Sequence, residues 1–197
     1  MKKLISVVVA IVAGLVVLQP VSANAESYVR RDAAKDVIHL DEDGNMVSDP
    51  ERADGDIVTS GVSYAGKRVW LAMSFSDLGH DSEFSGYLFA IRTNERKKRV
   101  LAIFATPGEG WQATLSGPRG RVRCRGMATR VEYVNRRVRA VIPKRCLSSP
   151  RWVQLSMGTL TFKGFEEDAD EINIYADDAL LNGGLEGASW GPRVRRG

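Results

Sequence analysis

Histidine and cysteine are scarce in this 197-residue chain, with two of each. No histidine or cysteine lies close in sequence to either cysteine, which excludes a zinc site of the usual Cys/His spacing. The two histidines, His39 and His80, also leave little material for a histidine general base. Long apolar runs are equally scarce. After residues 4–18, no stretch reaches the roughly 20 residues that a spanning helix needs.

The apolar run at residues 4–18 has the pattern of an export signal. Lys2 and Lys3 precede it, and Ala23 and Ala25 place small side chains at positions −3 and −1 of a cut after Ala25. The alternative, a retained membrane anchor, is disfavoured because the run is too short to span a bilayer. We therefore expect a signal peptide at residues 1–25 and a secreted, extracellular mature protein without a transmembrane segment.

The two cysteines are Cys124 and Cys146. In an oxidising compartment, two cysteines in a secreted chain most economically form one disulfide. Two free thiols are the alternative.

Basic side chains are concentrated in the middle of the chain. Removing Lys2 and Lys3 from the 28 basic residues leaves 26 against 24 acidic ones, so the mature net charge is only +2. Residues 119–151 carry 11 basic side chains and one acidic side chain. The basicity of the whole chain therefore overstates the case for an acidic partner, and nucleic acid is not expected.

Alternation of apolar and polar residues dominates the sequence, and no long window has helical periodicity. About ten short strands, separated by turns about every 8 to 12 residues, predict an all-β fold, an antiparallel two-sheet β-sandwich of jelly-roll type. A hairpin is expected at Ala65 and Gly66. A long strand is expected over residues 121–134, with a bulge or bend at Gly126. We expect the β-sandwich to occupy residues 26–178, followed by a Gly/Arg-rich tail at residues 179–197.

One face of the predicted sheet is rich in arginine. If Val122 and Cys124 point inward, the alternating arginines around them point outward, as do those beside Val138 and Ala140. The residues predicted to bind a ligand on this surface are Trp70, Trp152, Arg121, Arg123, Arg125, Arg137 and Arg139. Charge and stacking would suit an acidic glycan, a wall polymer or a nucleic-acid backbone. The alternative is that arginine is simply the solvated residue of an antiparallel sheet.

Carboxylates form no recognisable metal motif. Asp41, Asp43 and Asn45 imitate the start of an EF-hand loop, but Met46 stands where glycine is required and Arg52 where glutamate is required. Calcium could still be held by side chains that meet only in the fold. The candidates are Asp54, Asp56, Asp168, Asp170, Asp177 and Asp178. Ordinary turn and surface carboxylates are the alternative, and no other cofactor is expected.

A catalytic signature fails on inspection. Residues 187–191 (GASWG) match the G-x-S-x-G pattern of hydrolases, which requires a histidine base later in the chain. Both His39 and His80 lie upstream of Ser189. We therefore expect a non-enzymatic protein.

Several short phrases carry a resemblance to a known group of proteins. They are residues 32–37 (DAAKDV), 55–57 (GDI), 67–69 (KRV) before 75–78 (FSDL), and 143–153 (PKRCLSSPRWV). These phrases resemble small secreted actinobacterial proteins of unknown function. The pattern is also similar to the β-sandwiches of DOMON and family 9 carbohydrate-binding modules. This second resemblance implies sugar binding through stacked tryptophans, for which Trp70, Trp111 and Trp152 are available.

The sequence thus predicts a secreted, non-catalytic binding or envelope-associated module. Its expected ligand is a carbohydrate or an anionic cell-surface polymer. The alternatives are an extracellular hydrolase with dispersed active-site residues and a structural or inhibitory partner protein. Ligand identity and oligomeric state stay open at this point.

Overall fold

The computed structural model describes residues 26–40, 45–164, 172–179 and 189–197. The predicted signal peptide lies outside these residues. Within them, no helix has the length and hydropathy needed to cross a membrane. The described elements are one short 3₁₀ helix, Lys144–Leu147, and fourteen strands. The strands are β1 Glu26–Arg31, β2 Ile38–Leu40, β3 Met46–Ser48, β4 Ile57–Ala65, β5 Arg68–Phe75, β6 Phe84–Thr93, β7 Lys98–Thr106, β8 Gly110–Gly117, β9 Gly120–Arg121, β10 Ala128–Glu132, β11 Arg137–Pro143, β12 Trp152–Lys163, β13 Asn173–Asp178 and β14 Val194–Arg195.

The strands form two antiparallel sheets. A five-stranded sheet has the order β1-β4-β5-β11-β10. A nine-stranded sheet has the order β3-β2-β13-β12-β6-β7-β8-β9, with β14 paired to β12. The predicted all-β, two-sheet architecture is confirmed.

Side-chain alternation places the core between the sheets. In β5, Leu71 and Met73 point inward and are buried, whereas Trp70 on the same strand points outward. Phe89 of β6 and Ile103 of β7 are fully buried on the facing sheet. Strands β5, β6 and β7 therefore each contribute one apolar face to the core.

The hairpin between β4 and β5 is confirmed. Ala65 pairs with Arg68, and Gly66 in the turn has φ +52°, a left-handed conformation that glycine adopts without steric cost.

The long strand predicted over residues 121–134 is wrong. β9 ends at Arg121, and β10 begins at Ala128 on the other sheet. Gly126 has φ +81°, and it lies in the loop between these two strands and not at a bend within one strand. The chain changes sheets here, so alternation cannot be extended from one strand into the other.

The predicted disulfide between Cys124 and Cys146 is confirmed. Cys124 lies in the loop after β9 of the nine-stranded sheet, and Cys146 lies in the 3₁₀ helix after β11 of the five-stranded sheet. The bond therefore ties the loop that crosses between the two sheets to the segment that follows β11.

Replacing both cysteines with serine should lower the free energy of unfolding by about 3 kcal/mol, because the unfolded chain regains the freedom of the closed loop. Urea unfolding of the oxidised wild type, the reduced wild type and the double variant measures this. The reduced wild type serves as the control and should resemble the double variant. An unfolding midpoint that is the same in all three would contradict the prediction.

The segment predicted as a C-terminal tail packs onto the sandwich at both of its described ends. The Ala179 N–H donates to Met157 O at 3.0 Å, and Ala179 is fully buried. Val194 pairs with Val153 and is also buried. Residues 194–195 therefore belong to the nine-stranded sheet.

Candidate functional site

Three of the predicted site residues share one surface. Trp70 on β5 and Arg137 and Arg139 on β11 occupy exposed positions that alternate with buried ones, so they lie on the outer face of the five-stranded sheet. Arg139 pairs in register with Ala72, and Val141 pairs with Trp70. This outer face therefore combines the predicted tryptophan with two of the predicted arginines.

The other predicted residues lie elsewhere. Trp152 belongs to β12 of the nine-stranded sheet, where the guanidinium carbon of Arg193 lies 4.6 Å from the centre of its ring. Arg121 lies in β9 at the edge of the same sheet, and Arg123 and Arg125 follow it in a loop. The prediction that these arginines continue the face of Arg137 and Arg139 is wrong, because the chain crosses between the sheets after β9.

A groove with a cavity volume of about 450 Å³ runs over the outer face of the five-stranded sheet. Gly61 and Ala72 are cross-strand partners on its floor, where a missing side chain and a single methyl group leave space. Val29 lies beyond Gly61, and Arg139 lies beyond Ala72. Trp70 is the next outward residue along β5. Val29 and Trp70 are 71% and 47% exposed, so the groove presents apolar surface to solvent.

Charge on this outer face is strongly one-sided. Five arginines occupy outward positions on the strands of the sheet: Arg31, Arg68, Arg130, Arg137 and Arg139. Glu132 is the one carboxylate at the outward positions of these described strands. Arg139 Nη2 donates to Glu132 Oε1 at 2.6 Å, and Arg130 Nε lies 3.4 Å from the same oxygen. One carboxylate thus orients two guanidiniums and leaves them with free donors and a net positive charge.

A second group of charged residues lies where the two sheets meet. Asp36 precedes β2, Asp56 precedes β4, and Asp177 lies in β13. One carboxylate oxygen from each residue lies within 4.8 Å of the other two. Asp56 and Asp177 are only 1% and 3% exposed. We refer to these three residues as the carboxylate cluster.

Hydrogen bonds compensate the carboxylate cluster only in part. The Ile57 N–H donates to Asp177 Oδ2 at 2.6 Å. Asp177 Oδ1 and both oxygens of Asp36 are buried and accept no hydrogen bond from another residue within the described part of the chain. Burial raises the pKa of Asp177 to about 8, with repulsion from Asp36, Asp32 and Asp56 adding to the rise and the Ile57 hydrogen bond opposing it. Burial and the neighbouring Asp36 similarly raise the pKa of Asp32 to about 7.

Four of the six carboxylates predicted as calcium ligands lie among the described residues. The fold brings Asp56 and Asp177 together, and Asp178 follows in β13. Asp54 has a different role, because its carboxylate accepts backbone N–H groups. The two remaining candidates, Asp168 and Asp170, lie outside the described residues.

Sequence reasoning missed residues at both places. Arg130 and Glu132 flank the buried Val131 in β10. The alternation of polar and apolar residues in this strand is the sequence signal that places both side chains on the outer face of the sheet. Asp36 carried no such signal, because Asp56 precedes a strand of the other sheet and Asp177 lies in a strand near the C-terminal end of the chain.

The fold and these two places define an all-β, two-sheet domain with one disulfide, an exposed groove and a buried acidic cluster. Comparison with protein-family models, with curated proteins and with solved structures gave no match. Function is therefore inferred from the geometry of the groove.

Proposed function

We propose that the protein is a non-catalytic binding module whose groove takes an anionic carbohydrate. The observation that carries the proposal is the exposed Trp70 beside a floor of Gly61 and Ala72, with Arg139 across the same floor. This arrangement offers an apolar contact and a positive charge to one ligand.

The apolar part of the groove suits a sugar ring. A pyranose presents a flat face of C–H groups, and an exposed indole supplies a large, rigid apolar surface for it. The small side chains of Gly61 and Ala72 leave the space that such a ring needs. Because most small-molecule sites combine apolar surface with a few fixed polar groups, Trp70 supplies contact area and the arginines supply orientation.

The charged part of the groove favours an acidic ligand. Guanidinium groups bind carboxylate, sulfate and phosphate oxygens through paired N–H donors. Glu132 holds Arg139 and Arg130 in position, which reduces the conformational entropy that ligand binding would cost. The ligand class that matches both parts is a glycan with uronate or sulfate groups.

Two other interpretations fit the groove less well. A glycoside hydrolase needs two carboxylic side chains around the scissile bond. Glu132 does not line this groove, and it already accepts a hydrogen bond from Arg139. Arginines that only protect and solvate the sheet would not require an exposed tryptophan next to them.

The test is a calorimetric titration of the mature protein with oligogalacturonate, a sulfated oligosaccharide and a neutral cello-oligosaccharide of equal length. We expect measurable binding of at least one acidic oligosaccharide and much weaker binding of the neutral one. Trp70→Ala should weaken the binding about tenfold, or about 1.4 kcal/mol. Trp152→Ala is the matched control on the other sheet and should leave the binding unchanged.

Two further variants separate charge from shape. Arg139→Ala should reduce both the affinity and its salt dependence, whereas Ala72→Leu should fill the floor and reduce the affinity without removing a charge. Absence of binding to all three sugars would overturn the proposal. Binding that is equal for Trp70→Ala and the wild type would also overturn it, since only loosely distributed surface charge would then attract the ligand.

A further inference from the structure

We infer that the carboxylate cluster of Asp36, Asp56 and Asp177 is a Ca²⁺ site that joins the two sheets. It is separate from the groove and does not depend on the proposed carbohydrate ligand. The inference rests on the distances between the carboxylates, on their unpaired oxygens and on the strands that carry them.

The distances fit a single ion. One oxygen of each residue lies within 4.8 Å of the others. Oxygens bound to one Ca²⁺ at about 2.3 to 2.6 Å lie at most about 5 Å apart. All three carboxylates can therefore contact the same ion from their present positions.

Three buried oxygen atoms of the cluster accept no hydrogen bond from another described residue. Asp177 is 3% exposed, and its buried Oδ1 has no hydrogen-bond partner among the described residues. Both oxygens of Asp36 are buried as well, and neither accepts a hydrogen bond from another described residue. Buried polar atoms are almost always satisfied, and a buried carboxylate is costly unless it is paired or binds a metal. A cation would satisfy all three oxygen atoms together.

The other oxygens of the cluster are held by the protein. Asp56 Oδ1 accepts the Lys35 N–H at 3.1 Å, and Asp56 Oδ2 accepts the Ser76 hydroxyl at 2.5 Å. Asp177 Oδ2 accepts the Ile57 N–H. Such hydrogen bonds orient metal-binding carboxylates, and each oxygen keeps a second lone pair for the ion.

The charges around the cluster also favour a cation. Asp36, Asp32 and Asp56 are all carboxylates, and each repels a negative charge on Asp177. A divalent ion would turn this repulsion into attraction.

The chemistry of the donors selects calcium. The cluster offers carboxylate oxygens without nitrogen or sulfur, which is a donor set for a hard cation. Calcium accepts irregular arrangements of several protein oxygens, whereas magnesium requires a near-octahedral shell and retains more of its water. Three carboxylates from three separate segments therefore suit calcium better than magnesium.

The position of the cluster gives the ion a structural role. Asp56 leads into β4 of the five-stranded sheet, whereas Asp177 lies in β13 and Asp36 leads towards β2 of the nine-stranded sheet. An ion bound by all three would hold the two sheets together.

The experiment uses the mature chain after treatment with EDTA and removal of the chelator. Titration with CaCl₂ should give one site, and about 10 mM Ca²⁺ should raise the Tm by about 5 to 10 °C relative to the chelated protein. Magnesium at the same concentration should give a much smaller rise. Asp177→Asn should abolish the rise, and Glu109→Gln, at an exposed site, is the control that should retain it.

The chelated state supplies a second readout. Without calcium and at pH 9, above the Asp177 pKa of about 8, Asp177→Asn should melt at or above the Tm of the wild type, because one repelling charge is gone and the amide oxygen can still accept the Ile57 N–H. A Tm below that of the wild type under these conditions would contradict the inference. Asp36→Asn provides the same test if Asp177→Asn does not fold. Absence of calcium binding to the wild type, or a calcium response that survives in both variants, would overturn the inference. An equal response to magnesium would overturn the choice of ion.

Discussion

Asp54→Ala should lower the free energy of unfolding by about 3 to 5 kcal/mol. Asp54 is 1% exposed, and its carboxylate accepts backbone N–H groups from Gly79 at 2.7 Å, Asp81 at 3.1 Å and Ser82 at 2.7 Å. Arg52 Nη2 lies 3.6 Å from the same carboxylate. One side chain therefore fixes the loop between β5 and β6.

The large effect follows from what the substitution leaves behind. Three N–H groups lose their acceptor, and Arg52, whose side chain is only 8% exposed, loses its buried counter-ion. A buried donor without a partner costs about 1 to 3 kcal/mol, and a buried unpaired charge costs more.

The matched control is Asp81→Ala. Asp81 Oδ2 also contacts Arg52, at 3.8 Å, but its side chain is 56% exposed. The loss of such a pair should cost about 1 kcal/mol or less. Guanidinium unfolding with a two-state fit measures the free energy of unfolding of both variants. Equal decreases would contradict the conclusion that Asp54 fixes the loop between β5 and β6.

Phe89→Ala should destabilise the protein by about 3 to 5 kcal/mol. Phe89 is fully buried in β6, in register with Met157 on one side and Leu101 on the other. Removal of the ring takes apolar surface out of the centre of the core and leaves a cavity. The flanking strands cannot close this cavity without breaking the hydrogen bonds that pair them with β6.

Phe104→Ala is the comparison that isolates burial. Phe104 lies on the neighbouring strand β7, is 44% exposed and stacks against Phe84 with ring centres 5.7 Å apart. Its removal should cost about 1 kcal/mol, mostly from the lost ring contact. Chemical unfolding measures the free energy of unfolding of both variants. A decrease for Phe104→Ala as large as that for Phe89→Ala would contradict the placement of the core between the two sheets.

Local sequence patterns predicted a large part of the fold because strand identity is a local property. Alternation places Leu71 and Met73 inward and Trp70 outward without knowledge of any partner strand. The turn at Gly66 is likewise determined by neighbouring residues. In contrast, β3 has no alternation to detect, because Met46, Val47 and Ser48 are all exposed.

The candidate sites depended on information that local patterns do not contain. Trp70 and Arg139 were predicted together because each lies on an alternating strand, although their pairing through β5 and β11 was not predicted. Asp36, Asp56 and Asp177 meet only after strands from both ends of the chain have assembled. A sequence gives the identity of such carboxylates but not their distances.

The strand order has a consequence for the rate of folding. Neither sheet is completed by neighbours in sequence, because β5 pairs with β11 and β6 pairs with β12. The chain loses the entropy of closing these long loops before the strand contacts that compensate the loss have formed. Domains dominated by such non-local strand pairs fold in about milliseconds to seconds, and we expect the same for this domain. During that interval β5 and β6 each have an unpaired edge, so the early folding intermediates are the species most exposed to association with other chains.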